Sequence, residues 1–168
     1  MADGALVHNE HDRELLRQTY GGKRIDRLEL EVAPHGPYDH MSVAEQPVRD
    51  ANDQVTRLLC FGLIRPYKGT EDAVLALDLM SAEDAADFDL TVVGETWENW
   101  ELPAEKIAVS KYRDRIDFVN RYVTDEEAAN YFASADVLVL PYRRGSASGP
   151  LHIAMANGLH VVMYATGG

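Results

Sequence analysis

Residues 131–141 read Tyr-Phe-Ala-Ser-Ala-Asp-Val-Leu-Val-Leu-Pro, and residues 154–162 read Ala-Met-Ala-Asn-Gly-Leu-His-Val-Val. The first stretch predicts the end of a helix followed by a buried strand that stops at Pro141. The second predicts the end of another helix followed by a second apolar strand. Helix and strand therefore alternate, which is typical of a parallel sheet whose strands are joined by helices.

The same alternation extends towards the N-terminus. Further strands are predicted at 57–64, 89–94 and 115–119, with helices beginning near 70, 104 and 124. Near-continuous Val and Leu in the strands indicate a sheet covered on both faces. The predicted fold class is α/β, with a Rossmann-like parallel sheet that has helices on both faces. We expect residues 55–168 to form this domain and residues 1–54 to be the end of a preceding half and an interdomain segment.

Two helix starts have specific signals. Thr124 and Glu127 have the spacing of a capping box, in which each side chain bonds the other residue's backbone N–H. Thr70 is expected to cap an earlier helix, whose buried side would consist of Val74, Leu75, Leu77 and Leu79.

Composition excludes several classes of protein. The chain has 168 residues, of which 46% are hydrophobic and 26% charged, as in a single globular domain. Its net charge of −12 argues against coating DNA or RNA, which requires a basic surface. We find no apolar run of roughly 20 residues and no signal-peptide pattern, so the expected location is cytoplasmic. The single cysteine, Cys60, is expected in the core.

The first candidate site lies between a strand and a helix, from Gly62 to Gly69. It contains Arg65 and Lys68, whose cations can bind phosphate, and Gly62 permits close approach of the backbone to a ligand. A solvated basic loop is the competing interpretation, and the glycine-lysine signature of a P-loop is absent.

The second candidate site is the Gly- and Ser-rich stretch that leads into a helix near residue 149. Helix N-termini attract anions through their N–H groups and the positive end of the helix dipole. Pro150 suits the first turn, where a missing N–H costs little. A capped helix after a flexible loop is the alternative. The candidate ligand-binding residues are Ser146, Ser148, Gly149, Pro150, Leu151 and, more weakly, His152.

A third candidate is Gly94, which ends a strand beside the same expected edge. It could let a ligand approach, or it could serve only the turn. Trp97 and Trp100 follow it and could stack on a sugar or base, although packing against their own domain is the favoured interpretation.

Together these segments resemble the C-terminal domain of the group 1 family of GT-B glycosyltransferases. Residues 59–69 are similar to the family's F-x-G…K-G pattern, and residues 90–94 are similar to its strand ending in V-G. The third segment, residues 131–141 followed by 154–162, is the most specific. The resemblance covers nearly the whole chain.

The resemblance implies a donor-binding domain that holds a UDP- or GDP-sugar for transfer with retained anomeric configuration to an unknown acceptor. By it, Lys68 contacts the donor diphosphate, with Arg65 in place of the family arginine that would stand at Leu63. The backbone around Gly149, Pro150 and Leu151 binds phosphate, and Tyr122 and Val123 lie along the nucleobase. No cofactor or metal is expected. The partners expected are the donor, the acceptor and an N-terminal acceptor domain, and association with a membrane stays open.

The chain departs from the family pattern in two respects. Gly145 and Ile153 stand where many relatives have two glutamates, which weakens the expected sugar and ribose contacts. The acceptor half and part of the donor half are not in the sequence, so we expect little transferase activity from this chain alone. Two alternatives therefore remain: a degenerate, non-catalytic nucleotide- or partner-binding module, and a sugar-nucleotide epimerase, which fits less well.

Overall fold

The computed structural model describes residues 3–22, 25, 27–34, 36, 54–145 and 148–166. The first part contains strand β1 (Gly4–Val7), helix α1 (Glu10–Tyr20) and strand β2 (Glu29–Val32). The two strands pair in parallel as a separate two-stranded sheet. Asn9 caps α1, because its side chain accepts the N–H of Asp12 at 2.7 Å. Residues 37–53, which belong to the predicted interdomain segment, lie outside the described residues.

The second part is a five-stranded sheet with its connecting helices. Its elements are β3 (Thr56–Phe61), α2 (Thr70–Leu79), α3 (Ala82–Ala85), β4 (Phe88–Val93), α4 (Leu102–Val109), β5 (Ile116–Val119), α5 (Asp125–Ser134), β6 (Val137–Leu140), α6 (Gly149–Ala156) and β7 (His160–Met163), with short 3₁₀ helices at Pro66–Lys68 and Arg113–Arg115. All neighbouring strands pair in parallel. The predicted α/β class is confirmed.

The order of the strands determines where a ligand can bind. The sheet runs β5-β4-β3-β6-β7, so the chain moves outward from β3 to β5 and then returns to the other side of β3. The direction of winding reverses between β3 and β6. In open parallel sheets, ligands bind in a crevice beyond the carboxyl ends of the strands at such a reversal.

Two hydrophobic clusters cover the two faces of the sheet. Successive residues of β3 point to opposite faces, and Leu59 belongs to one cluster while Cys60 belongs to the other. The first cluster centres on Phe132 of α5, whose ring lies 5.0 Å from that of Phe61. The second contains Val74 and residues of α4 and β5. Each fully buried aliphatic or aromatic side chain contributes roughly 1.5–3 kcal/mol, so this double layer is the main source of stability.

The helix starts agree only in part with the sequence prediction. The capping box of α5 is confirmed: the Thr124 hydroxyl accepts from the Glu127 N–H, and the Glu127 carboxylate accepts from the Thr124 N–H. The prediction that Thr70 caps α2 is wrong, because Gly69 occupies the cap in a left-handed conformation, with φ 60°. Glycine adopts this conformation without the steric cost of a side chain.

The buried side of α2 is narrower than predicted. Val74 and Leu77 are fully buried, whereas Leu75 is partly exposed and Leu79 is 88% exposed. Residues three apart on a helix share a face, and residues five apart, such as Val74 and Leu79, do not. Among the described residues, no helix is both long and apolar enough to cross a membrane.

Gly94 ends β4 against the backbone of the neighbouring loop. Its φ is 154°, and a Cβ atom there would lie 2.0 Å from the carbonyl oxygen of Gly62. This contact accounts for glycine at the position without any ligand, and it keeps the loops after β3 and β4 close together.

We expect Gly94→Ala to lower the free energy of unfolding by about 2–4 kcal/mol, since the new methyl group meets backbone that has little room to move. Gly158→Ala is the matched control. Gly158 also has a positive φ, 67°, but open space around it, so only a conformational cost of about 1 kcal/mol is expected. Urea denaturation followed by circular dichroism measures both, and equal losses in the two variants would contradict the close approach.

Candidate functional site

The loops that follow β3 and β6 pack directly on each other at the carboxyl edge of the sheet. A Cβ atom on Gly69 would lie 2.2 Å from the carbonyl oxygen of Pro141, so the backbone of one loop touches the end of the other strand. The 3₁₀ turn Pro66–Lys68 precedes Gly69 and positions Lys68 between them. The crevice expected from the strand order is therefore bordered by a lysine.

The Lys68 ammonium is partly withdrawn from water and held by an aromatic hydroxyl. Its Nζ donates to the Tyr142 hydroxyl at 2.7 Å and lies 4.2 Å from the centre of the same ring. Burial, and after it the positive charge of Arg65, lower the pKa of Lys68 from its usual 10.5 to about 8. An anion placed beside the ammonium would remove this destabilisation of the charged form.

The start of α6 faces the same space. A Cβ atom on Gly62 would lie 3.6 Å from Lys68 Nζ and 3.6 Å from Pro150 Cγ, so these three residues surround one small volume. Ser148 is linked to it through a side-chain hydrogen bond with Tyr142. The structure thus brings together Gly62, Lys68, Ser148 and Pro150, which the sequence places in two separate segments.

The N–H groups at the start of α6 are fewer than the sequence prediction assumed. The Leu151 N–H already donates to the Ser148 hydroxyl at 3.3 Å, and Pro150 has no N–H. Gly149 is the first helical residue, and its N–H is one that an α-helix leaves without an intrahelical acceptor. Phosphate binding by the backbone around Leu151 stays a prediction, and Ser146 lies outside the described residues.

Arg65 has its own partners on the neighbouring loop. Its guanidinium carbon lies 4.7 Å from the centre of the Trp97 ring, and its Nε lies 3.6 Å from a Glu98 carboxylate oxygen. The side chain is near enough for its charge to lower the pKa of Lys68. In this arrangement it stacks on an aromatic ring, so a phosphate contact would require it to turn.

The remaining predicted site residues differ in how far their side chains are exposed. Tyr122 is 73% exposed at the start of the loop before α5, whereas the Val123 side chain is buried in the first hydrophobic cluster. The Val123 side chain is therefore not available to a ligand, and the predicted nucleobase contacts of Tyr122 and Val123 stay predictions. His152 is half-buried on α6, and its N–H donates to the Ser148 carbonyl at 3.3 Å.

The two departures from the family pattern fall in different environments. Gly145 is exposed, with φ 155°, whereas Ile153 is buried in the first cluster beside Phe132. An isoleucine there extends the core under α6. This position supplies packing and no carboxylate to a ligand.

Sequence reasoning missed Tyr142, and it placed Arg143 at the start of the second candidate stretch without assigning it a role. Tyr142 holds Lys68, and Arg143 forms ion pairs with Glu71 and Asp72, both at 2.8 Å. Their position directly after the buried strand β6 was a usable signal, since ligand-contacting residues follow strand ends in this fold. Their partners, more than 70 residues away in the chain, had no signal in the sequence.

An open cleft of about 860 Å³ adjoins the site. It is bordered by Arg65 and Tyr67 on one side, by residues 143–145 on another, and by His11 and Leu15 of α1. Its size lies within the range of ligand sites, about 300–1,000 Å³.

A family model described as "Glycosyl transferases group 1" matches residues 55–168. The chain is also 34% identical over 103 residues to a GDP-mannose:glycolipid 4-beta-D-mannosyltransferase of Xanthomonas campestris pv. campestris. That alignment covers 60% of the chain and 28% of the relative, so the chain spans well under half the length of this curated relative.

Solved structures share the fold. Sucrose-phosphate synthase from Thermosynechococcus elongatus superposes with a TM-score of 0.75 and 24% identity, over 100% of this chain and 42% of its own. WaaG, a glycosyltransferase involved in lipopolysaccharide biosynthesis, superposes with a TM-score of 0.73 and 22% identity. That match covers 97% of this chain and 44% of WaaG. These identities support the fold alone, but the family model covers more than half of the chain, and the chain therefore belongs to the group 1 glycosyltransferases.

Proposed function

We propose that residues 55–168 bind the nucleotide-diphosphate sugar from which a group 1 glycosyltransferase transfers its sugar. One observation carries the proposal: the Lys68 ammonium and the start of α6 face one space beside Gly62, at the reversal between β3 and β6. An ammonium and a helix N-terminus are both suited to phosphate, and they converge where this kind of sheet binds ligands.

The proposed chemistry depends on charge stabilisation. When the bond from the sugar to the diphosphate breaks, negative charge grows on the departing oxygen. In this proposal, Lys68 and the Gly149 N–H stabilise that charge, and because both belong to the folded domain, no protein charge has to reorganise during the reaction. In a chain with net charge −12 and only four lysines, such a local cation offsets the repulsion that a diphosphate meets from the acidic surface.

The donor proposed is a GDP-sugar, with a UDP-sugar as the second candidate. Support comes from the name of the Xanthomonas relative, which specifies GDP-mannose and a glycolipid acceptor. A glycolipid is accordingly the first acceptor to test. No cofactor or metal is included in the proposal, and a cytoplasmic location stays a prediction.

A non-catalytic nucleotide-binding module is the alternative, and one observation favours it. Ile153 faces the core where many relatives have a glutamate, so one expected polar contact to the donor is lacking. The donor domain and the nucleotide-binding module both require nucleotide binding at Lys68, and they differ in whether sugar is transferred. A non-catalytic module that binds a partner instead would bind neither GDP nor UDP.

Removing the Lys68 ammonium should weaken nucleotide binding. We expect Lys68→Ala to raise the Kd of GDP by a factor of roughly 5–150, corresponding to about 1–3 kcal/mol for a charged hydrogen bond. Isothermal titration calorimetry with GDP and UDP measures it. Lys111→Ala is the matched control, because Lys111 also lies over a tyrosine ring, at 4.8 Å, but precedes β5 at the other end of the sheet. Equal affinities for the two variants would refute the assignment of Lys68.

Nucleotide affinity should fall as the pH rises through about 8. The pKa of Lys68 in the ligand-free protein is lowered to about 8, so above this pH its side chain is mostly neutral. Binding of the diphosphate then requires the amine to take up a proton, which weakens the observed affinity. The Kd of GDP should rise up to about tenfold between pH 7 and pH 9. A Lys68→Arg variant keeps its charge over this range and should show a flat profile. A wild-type profile as flat as that of the variant would contradict the prediction.

The anomeric configuration of the product tests the prediction of retention. With an α-linked donor, retention gives an α-glycoside and inversion gives a β-glycoside. The name of the Xanthomonas relative describes a β-D-mannosyl product, so for that relative the name implies the opposite outcome from the one predicted here. We expect the full-length gene product to form an α-linked sugar, observed from anomeric couplings in the NMR spectrum of the product. A β-linked product would show inversion, and nucleotide binding without any transfer would favour the non-catalytic module.

A further inference from the structure

We propose that Arg143 is a positioning residue that fixes the Lys68 ammonium at the crevice by tying together the loops after β3 and β6. The inference deepens the proposed function and rests on it for its relevance to the donor. Arg143 does not touch the space beside Gly62 in this arrangement; it acts on the residues that hold Lys68.

The Arg143 guanidinium holds several partners at once. Arg143 Nη2 donates to Asp72 Oδ1 at 2.8 Å, and Nη1 donates to the Pro66 carbonyl at 3.1 Å. Nη1 also lies 2.8 Å from Glu71 Oε1, as an ion pair without hydrogen-bond geometry. The hydrogen bond to Asp72, and after it the interactions with Glu71, raise the pKa of Arg143 above its usual value.

One of these partners, Glu71, is buried. Glu71 is 2% exposed, while the Arg143 side chain is 43% exposed. A buried carboxylate needs a counter-charge and hydrogen-bond donors, because water no longer solvates it. Trp100 Nε1 donates to Glu71 Oε2 at 3.4 Å, and Arg143 supplies the charge. The need to compensate Glu71 therefore fixes where the guanidinium sits.

Arg143 is connected to Lys68 in two ways, through the turn that ends in Lys68 and through Tyr142. The Arg143 N–H donates to the Tyr67 carbonyl at 2.8 Å, and its side chain donates to the Pro66 carbonyl, so it grips the 3₁₀ turn that ends in Lys68. The hydroxyl of Tyr142, the preceding residue, accepts a hydrogen bond from the Lys68 ammonium at 2.7 Å. Loss of the guanidinium would remove the bond to the Pro66 carbonyl and leave only the main-chain bond to Tyr67, so we expect the turn and Tyr142 to be held less firmly.

A lysine cannot replace this residue. Only a planar guanidinium presents several donors in a fixed fork, whereas an ammonium on a flexible stem meets one or two acceptors at a time. Arg143→Lys keeps the positive charge beside Glu71 and Asp72 but loses the simultaneous contacts. This variant separates geometry from charge.

The test compares three variants in the full chain: Arg143→Lys, Arg143→Ala, and Arg143→Gln combined with Glu71→Gln, which leaves no unpaired buried carboxylate if Arg143→Ala fails to fold. Arg115→Ala is the control. Arg115 lies just before β5, and its guanidinium also donates to a carboxylate, that of Asp89, and to a backbone carbonyl, that of Phe88. The first readout is the pKa of Lys68 without ligand, from the NMR signals of the lysine side chains. The chain has only four lysines, and Lys68→Arg assigns the signal. The second readout is the Kd of GDP.

In the Arg143 variants we expect the pKa of Lys68 to rise by about one unit or more, as its ammonium regains water. We expect the Kd of GDP to rise about tenfold, with no rescue by Arg143→Lys and no change in Arg115→Ala. An unchanged pKa and Kd in folded Arg143→Lys and double variants, even with lowered stability, would overturn the positioning role. Failure of the wild type to bind GDP or UDP would instead overturn the proposed function, while the ligand-free pKa still decides the role of Arg143.

Discussion

The contact between the backbone of Gly69 and the carbonyl of Pro141 sets the geometry on which the site depends. It joins the loop after β3 to the end of β6, the two strands between which the winding of the sheet reverses. Any side chain at residue 69 would push these loops apart, because its first carbon would collide with backbone. Glycine also supplies the left-handed conformation that starts α2 directly after Lys68. One residue thus serves the helix start, the loop packing and the placing of the lysine.

The electrostatics of the site are local. The chain as a whole is acidic, and most of the charged groups near the crevice are already paired: Arg143 with Glu71 and Asp72, and Arg65 with Glu98. Lys68 differs, because its partner is the hydroxyl and ring of Tyr142, and burial lowers its pKa. A neutral partner holds a cation in place without neutralising it, so the attraction for an incoming anion is kept.

The fold could be predicted from the sequence because its signals are local. The apolar runs of the strands, the Thr124 capping box and the glycines at strand ends each depend on a few neighbouring residues. The part of the site that follows from strand ends, Gly62 with Lys68 and Ser148 with Pro150, was predictable for the same reason. The hold of Tyr142 on Lys68 and of Arg143 on Glu71 was not, because it depends on side-chain directions across segments far apart in the chain. The exposure of Leu79, by contrast, follows from helix periodicity, because a residue five positions after Val74 lies off the buried face of α2.

The loop after β4 contains both tryptophans of the chain, and each touches a charged residue of the crevice rim. Trp97 lies under the Arg65 guanidinium, and Trp100 donates to the buried Glu71. Indole emission is sensitive to nearby charge and to water, and both tryptophans of this chain lie at the edge of its candidate site. Any movement of Arg65 or of the Glu71 carboxylate would change the spectrum without an added label.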